Sequence, residues 1–236
     1  MKRLMATAVV VLLSVVVVST CQALDPQKTI TQYGHNIWYR QNGLPANAVN
    51  VVLQTRDGYL WLGTSAGLFR FDGARFERVS TDPEDLKNRE TISALCEGRD
   101  GSLWVGTANN QLCRLKDGKI LRYSDADGVM SRNVITVFES KGGRFWLGTS
   151  FGLYEFKDGK FVSTEIDPKY ITAIAEDARG RLWVGTHGGV RIFQGGKEIK
   201  SSEMLRGLQK ELITTLYADR RGAVWVGTYR CLFRWE

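Results

Sequence analysis

The stretch Asn50-Val51-Val52-Leu53-Gln54-Thr55-Arg56-Asp57-Gly58-Tyr59-Leu60-Trp61-Leu62-Gly63-Thr64 holds a short apolar run, a tight turn and a second apolar run. Its last four residues return as Trp104-Val105-Gly106-Thr107, Trp146-Leu147-Gly148-Thr149, Trp183-Val184-Gly185-Thr186 and Trp225-Val226-Gly227-Thr228. The tryptophans lie 43, 42, 37 and 42 residues apart. A period of that length means one supersecondary unit stacked on copies of itself.

Each unit repeats more than its ending. Apolar runs precede every Trp: Val49 to Leu53, Ile92 to Cys96, Val134 to Phe138, Ile171 to Ala175 and Ile213 to Tyr217. Gly turns such as Arg56-Asp57-Gly58 and Lys141-Gly142-Gly143 close them. Asp-Gly and Gly-Gly tolerate the positive φ of tight hairpins. After Gly-Thr come a second turn, a third run such as Leu153-Tyr154-Glu155-Phe156, a third turn such as Asp158-Gly159, and a fourth run. Runs this short without a 3.6-residue period are strands. Four of them make an antiparallel meander, which buries both faces only when meanders pack radially. The fold expected is all-β: a β-propeller of four-stranded blades, around Trp61, Trp104, Trp146, Trp183 and Trp225. The Trp ring is expected to fill the wedge between blades, with its indole N–H bonded. The Gly permits a close approach by a neighbouring ring or backbone, and the Thr hydroxyl bonds locally at the strand end.

Residues 1–23 read as a signal peptide: basic Lys2 and Arg3, an apolar Leu4 to Val18, then cleavage after Ala23. An apolar run of about 15 residues is short for a membrane span. The rival readings are lipidation at Cys21 and an uncleaved anchor. All three place residues 24–236 outside the cytoplasm, periplasmic or otherwise exported. The net charge of +7 falls to +5 without Lys2 and Arg3, and the basic residues are spread along the chain. That is a solvated surface, not a nucleic-acid interface.

Candidate chemistry is sparse. Cleavage after Ala23 would leave three of the four cysteines, Cys96, Cys113 and Cys231, an odd set, and no spacing suggests a metal site. The two histidines, His35 and His187, read as structural or incidental, and no nucleophile elbow, phosphate loop or His-Glu-x-x-His occurs. Asp57, Asp72, Asp100, Asp117 and Asp158 recur in turns, where Asp bonds its own backbone. Catalytic, cofactor and metal residues are therefore assigned as none, and ligand-binding residues stay unassigned. The loops before each first strand, such as Thr81 to Thr91 and Ser124 to Asn133, differ most between units and are the expected place for specificity.

The chain resembles the two-component regulator propeller repeats of bacterial sensors. The match is densest over Ile30-Thr31-Gln32-Tyr33-Gly34-His35-Asn36-Ile37-Trp38, Gly43-Leu44-Pro45 and Asn50 to Thr64, and extends over Leu24 to Glu236. The resemblance implies a periplasmic ligand-sensing module, with an oligosaccharide as one ligand class and a homodimer as one assembly. In the family an immunoglobulin-like linker, a membrane helix and a kinase or cyclase output follow. No second apolar span and no output motif occur here, so the expectation is a fragment, joined to a membrane only through a missing downstream helix or its own N-terminus. The family favours seven blades and this chain writes five. An incomplete seven-bladed ring is the leading expectation. The alternative is a closed ring of five, with Thr31 to Trp38 as the fourth strand of the fifth blade. A free-standing exported binding or scaffolding propeller is the second reading of function, and a propeller lyase the third.

Overall fold

The computed structural model describes residues 36–46, 48–81, 90–109, 111–129, 133–164, 170–199 and 207–236. The signal-peptide segment, Cys21 and His35 lie outside them. The chain divides after Ile37, and Trp38–Glu236 forms one compact unit.

That unit is an array of five antiparallel meanders. Blade 1 comprises β1 (Val49–Gln54), β2 (Leu60–Thr64), β3 (Gly67–Phe71) and β4 (Phe76–Val79). Blade 2 comprises β5 (Ile92–Glu97), β6 (Leu103–Thr107), β7 (Leu112–Lys116) and β8 (Lys119–Tyr123). Blade 3 comprises β9 (Val134–Glu139), β10 (Phe145–Thr149), β11 (Gly152–Lys157) and β12 (Lys160–Ser163). Blade 4 comprises β13 (Ile171–Glu176), β14 (Leu182–Thr186), β15 (Gly189–Gln194) and β16 (Lys197–Glu198). Blade 5 has three strands among the described residues: β17 (Ile213–Ala218), β18 (Val224–Thr228) and β19 (Leu232–Trp235). The turns between third and fourth strands have left-handed pairs at Asp117-Gly118, Asp158-Gly159 and Gly195-Gly196, the backbone that a two-residue hairpin turn requires.

The first strand of every blade carries the same irregularity. Its register against the second strand slips by one residue, between Val49 and Val51, Ile92 and Ala94, Val134 and Thr136, Ile171 and Ala173, and Ile213 and Thr215. A bulge of this kind adds one residue and turns the strand locally. It brings the first and fourth residues of the strand to one face, toward the preceding blade, and leaves the third and fifth facing the next blade. The core consequently lies between blades. Val51 and Leu53 pack on Ile92 and Leu95, and Ala94 packs with Val134 and Val137. Trp146 meets Ile171 and Ile174, and Ala173 and Ala175 meet Ile213 and Leu216.

The Trp and Gly of the repeated motif belong to these joints. Trp104 lies 4.2 Å between ring centroids from Phe145 of blade 3, and Trp183 is wholly buried against blade 5. The indole N–H donates to a side chain six residues upstream: Thr55 for Trp61 (3.1 Å), Asp177 for Trp183 (2.9 Å) and Asp219 for Trp225 (3.0 Å). The Gly receives a β-branched side chain, where a ring or backbone was expected. A Cβ placed on Gly63, Gly148 or Gly185 would sit 2.7 Å from Cγ2 of Ile92, Ile171 or Ile213, and one on Gly106 would meet Val134. Each socket takes the first residue of the next blade's bulged strand.

The array has two ends. Val49 and Val52 of β1 are 37% and 57% exposed, although Ile92, Leu95, Val134, Val137, Ile171, Ile174, Ile213 and Leu216, their equivalents, are buried. Tyr217 of β17 is 61% exposed on the opposite side. Successive first strands pack in the order β1, β5, β9, β13, β17. The described part of the proposed closing strand, Asn36 to Trp38, is not a strand, and Trp38 packs edge-on against Phe71 and Phe76 of blade 1. The rest of that proposed strand, residues 31–35, lies outside the described residues. Five blades are present among the described residues.

Candidate ligand-binding end

One end of the blades carries the turns between first and second and between third and fourth strands. Here every joint opens into a groove. The volumes are about 480 Å³ at blades 1 and 2, 510 Å³ at 2 and 3, 490 Å³ at 3 and 4, and 410 Å³ at 4 and 5. Similar grooves at every joint are a product of the repeat. Their charges are internally paired. Asp100 accepts from Lys116 (2.8 Å) and from Arg114, and the Lys116 ammonium holds its carboxyl well below the usual range. Burial would push Glu155 up, but Arg144 (2.6 Å) and Lys157 (2.7 Å) outweigh it and keep the carboxyl low. Carboxylates fixed in this way remain ionised near neutrality, where a general base needs a pKa close to the working pH. Among the described residues no cluster of three His, Cys, Asp or Glu could hold a metal ion.

The opposite end carries the turns that follow each Trp-aliphatic-Gly-Thr and the connections between blades. The Thr fixes its turn from both sides. Thr64 Oγ1 donates to Gly67 O (2.8 Å) and accepts from Ala66 N–H (3.0 Å). Thr149 repeats this with Gly152 (3.1 Å) and Phe151 (3.1 Å), and Thr186 with Gly189 (2.9 Å) and Gly188 (3.0 Å). A constant framework thus presents a variable pair of residues: Ser65-Ala66, Ser150-Phe151, His187-Gly188 and Tyr229-Arg230.

Aromatic groups gather in the second half of this series. Tyr229 is 81% exposed and Phe151 is also exposed. Tyr170 is 41% exposed and stacks on His187, with ring centroids 4.0 Å apart and planes at 28°. The Tyr170 backbone sits at φ 65°, and its N–H donates to Ser150 O at 3.2 Å. A non-Gly residue in this left-handed region is strained, and such positions cluster at functional sites. The turn hydrogen bonds and the His187 stack hold the tyrosine there. His187 was expected to be incidental, but it is half of the one stacked Tyr–His pair among the described residues. The sequence signal was its turn position, where other units carry Ser, Ala or Tyr.

The expected specificity loops fare unevenly. Most of Thr81 to Thr91 lies outside the described residues. Within Ser124 to Asn133, Ser124 precedes a 3-10 turn over Asp125–Asp127 and donates its N–H (2.8 Å) and hydroxyl (3.0 Å) to the Asp127 carboxylate, and Val129 is buried in the joint between blades 2 and 3. That part of the loop is packing. Among the described residues no disulfide forms: Cys113 is buried, Cys96 is half-buried and Cys231 is exposed. Burial pushes the Cys96 thiol up to about 11, which keeps it protonated.

Comparison with known proteins follows the same repeats. Residues 43–66, 85–109, 165–188 and 207–230 match the two component regulator propeller. Four stretches of the chain thus match this repeat by sequence. Among solved structures the chain is similar to the extracellular domain of a hybrid two component system from B. thetaiotaomicron (TM-score 0.68, 22% identity, 81% of this chain and 27% of that one). It is also similar to a virginiamycin B lyase from Staphylococcus aureus (TM-score 0.61, 14% identity, 81% and 71%). PorZ, a surface component of the type-IX secretion system of Porphyromonas gingivalis, gives a TM-score of 0.57 at 16% identity over 80% and 32%. At these identities the likeness is one of fold. The chain spans about a quarter of the length of the first of these structures. No curated protein matches the sequence.

Proposed function

We propose that residues 24–236 are the extracytoplasmic ligand-sensing module of a two-component signalling protein, with the output domain outside these residues. The repeats and the likeness to extracellular domains of hybrid two component systems support this reading. The apolar segment that follows Lys2 and Arg3 supports export. No helix among the described residues is long and apolar enough to cross a membrane. Five blades are then part of a larger ring, seven being the number expected. The protein works by binding, without catalysis or cofactor.

The ligand end is the Thr-framed one. The observation that carries this is the Tyr170–His187 stack, at the end whose turns also present exposed Phe151 and Tyr229. Flat aromatic faces on a rigid frame cover apolar surface at low entropic cost. Sugar rings offer such a surface on their C–H faces, which makes an oligosaccharide the favoured ligand class. Calorimetric titration with a panel of neutral oligosaccharides tests this. At least one should bind, and Tyr170→Ala and Tyr229→Ala should weaken it at least tenfold without lowering the unfolding midpoint. No binding across the panel, or binding indifferent to both substitutions, refutes the assignment.

A further inference from the structure

We propose that the groove between blades 1 and 2, at the end opposite the Thr-framed turns, binds the guanidinium group of a small ligand between the Trp61 ring and the Asp57 carboxylate. Both residues line this groove of about 480 Å³. The other four blades fill the same seat from within the chain. Arg114 stands over Trp104, Arg144 over Trp146, Arg181 over Trp183 and Arg234 over Trp225, with the guanidinium carbon 5.2, 4.6, 5.8 and 5.5 Å from the ring centroid. A cation within about 6 Å of an indole is attracted to the negative face of the ring. Each of these arginines is also paired with a carboxylate, of Asp100, Glu155, Asp177 and Glu236 in turn. Blade 4 shows the whole geometry: Asp177 accepts from the Trp183 indole (2.9 Å) and from Arg181 (2.5 Å), whose guanidinium lies over the same ring.

Blade 1 lacks this cover. Arg70 is the cross-strand partner of Trp61, as Arg114 is of Trp104 and Arg234 of Trp225. Its guanidinium stands instead over Tyr59, at 4.5 Å, and pairs with Glu77 at 2.6 Å. Among the described residues no guanidinium stands over Trp61. The next blade brings no aromatic ring to it either: Leu103, Leu115 and Ile120 stand where Phe145, Phe156 and Phe161 close on Trp104. Trp61 is half-buried, whereas Trp104, Trp146 and Trp183 are at most 4% exposed. Asp57 holds the turn position of Asp100 but forms no ion pair among the described residues. Its Oδ1 accepts from Thr55 Oγ1 (2.5 Å), which accepts in turn from the Trp61 indole (3.1 Å). Those bonds tie the carboxylate to the ring and leave Oδ2 without a protein donor among the described residues. The neighbouring charges of the groove are taken: Glu97 pairs with Arg56 (3.0 Å) and Lys116 with Asp100 (2.8 Å).

A guanidinium suits this seat better than an ammonium. It is planar, stacks on an indole and can donate two parallel bonds to one carboxylate. The chain itself can be made to fill the seat. Arg144 and Arg181 come two residues before their tryptophans, and Tyr59 holds that position in blade 1. Tyr59→Arg should place a guanidinium over Trp61 and close the site. Asp57→Asn keeps an acceptor for Thr55 and removes the charge. Asp57 is exposed and Tyr59 half-buried, so both variants should fold, and unchanged unfolding midpoints check this.

Calorimetric titration of the purified chain with N-acetylarginine amide is the test, beside its citrulline and lysine counterparts, the first neutral and the second an ammonium. The arginine derivative should bind, and both counterparts should bind about tenfold more weakly or not at all. Asp57→Asn should weaken binding of the arginine derivative by about tenfold, and Tyr59→Arg should abolish it. Three results would overturn the proposal: no binding to the wild type, equal binding of the three compounds, or binding that either substitution leaves unchanged.

Discussion

At the residue scale, the repeated tetrad divides its labour in a way that only partly shows in the sequence. The Trp was legible as a wedge, because a large ring recurring at a fixed period has to be buried somewhere. The Thr was legible as a local hydrogen-bonding group, though not as the part that fixes the turn after the motif from both sides. The Gly was legible as a close approach, but the approaching group was not. Ile213 lies 28 residues beyond Gly185, and nothing in the sequence between them encodes their contact. The Thr role yields a graded prediction. Thr186→Val leaves the buried Gly189 O, and the Gly188 N–H beside it, without their bonds and should cost about 1–3 kcal/mol. Thr228→Val makes the same change at an exposed turn, where water replaces the hydroxyl, and should cost distinctly less. Denaturant unfolding of the two variants checks this, and equal losses would contradict it.

At the element scale, the strands and turns were legible because alternating apolar residues and Asp-Gly pairs act locally. The bulge in each first strand was not. It arises from packing against the preceding blade, and decides which residues of the strand face which neighbour. The indole acceptors were equally hidden, because Thr55, Asp177 and Asp219 look like ordinary turn residues. Asp177 shows what that position does for stability. Burial raises its pKa, but the Trp183 indole and the Arg181 backbone and guanidinium outweigh this, and the net shift is downward. A carboxyl whose folded pKa is depressed adds stability above its unfolded value of about 3.9, and that stability is lost as pH falls through the folded value. Asp177→Asn should therefore lower stability most at neutral pH, and its deficit should shrink as the solution is acidified below about pH 4. Unfolding free energies of both proteins across this range test the sign. A deficit independent of pH would show that the charge is not the stabilising element.

At the scale of the whole molecule, five meanders make one array because each blade supplies a socket and a knob of the same design. The count and the architecture were legible from the period alone. The state of the ends was not, because closure depends on the angle between blades, which no single repeat encodes. The proposed ligand end was expected from the sequence only as a place where the repeats vary, and the Tyr170–His187 stack there joins residues from two different loops. Everything above the single blade rests on the claim that the motif glycine is the socket for the next blade. A double-mutant cycle at the joint between blades 4 and 5 measures this directly. Gly185→Ala should overpack the socket by about 1–3 kcal/mol, and Ile213→Ala should cost about 2–5 kcal/mol. Together they should cost less than their sum, with a coupling of about 0.5–3 kcal/mol, because removing the knob makes room for the new methyl. Strictly additive losses would mean that Gly185 and Ile213 do not share the space, and would contradict the account.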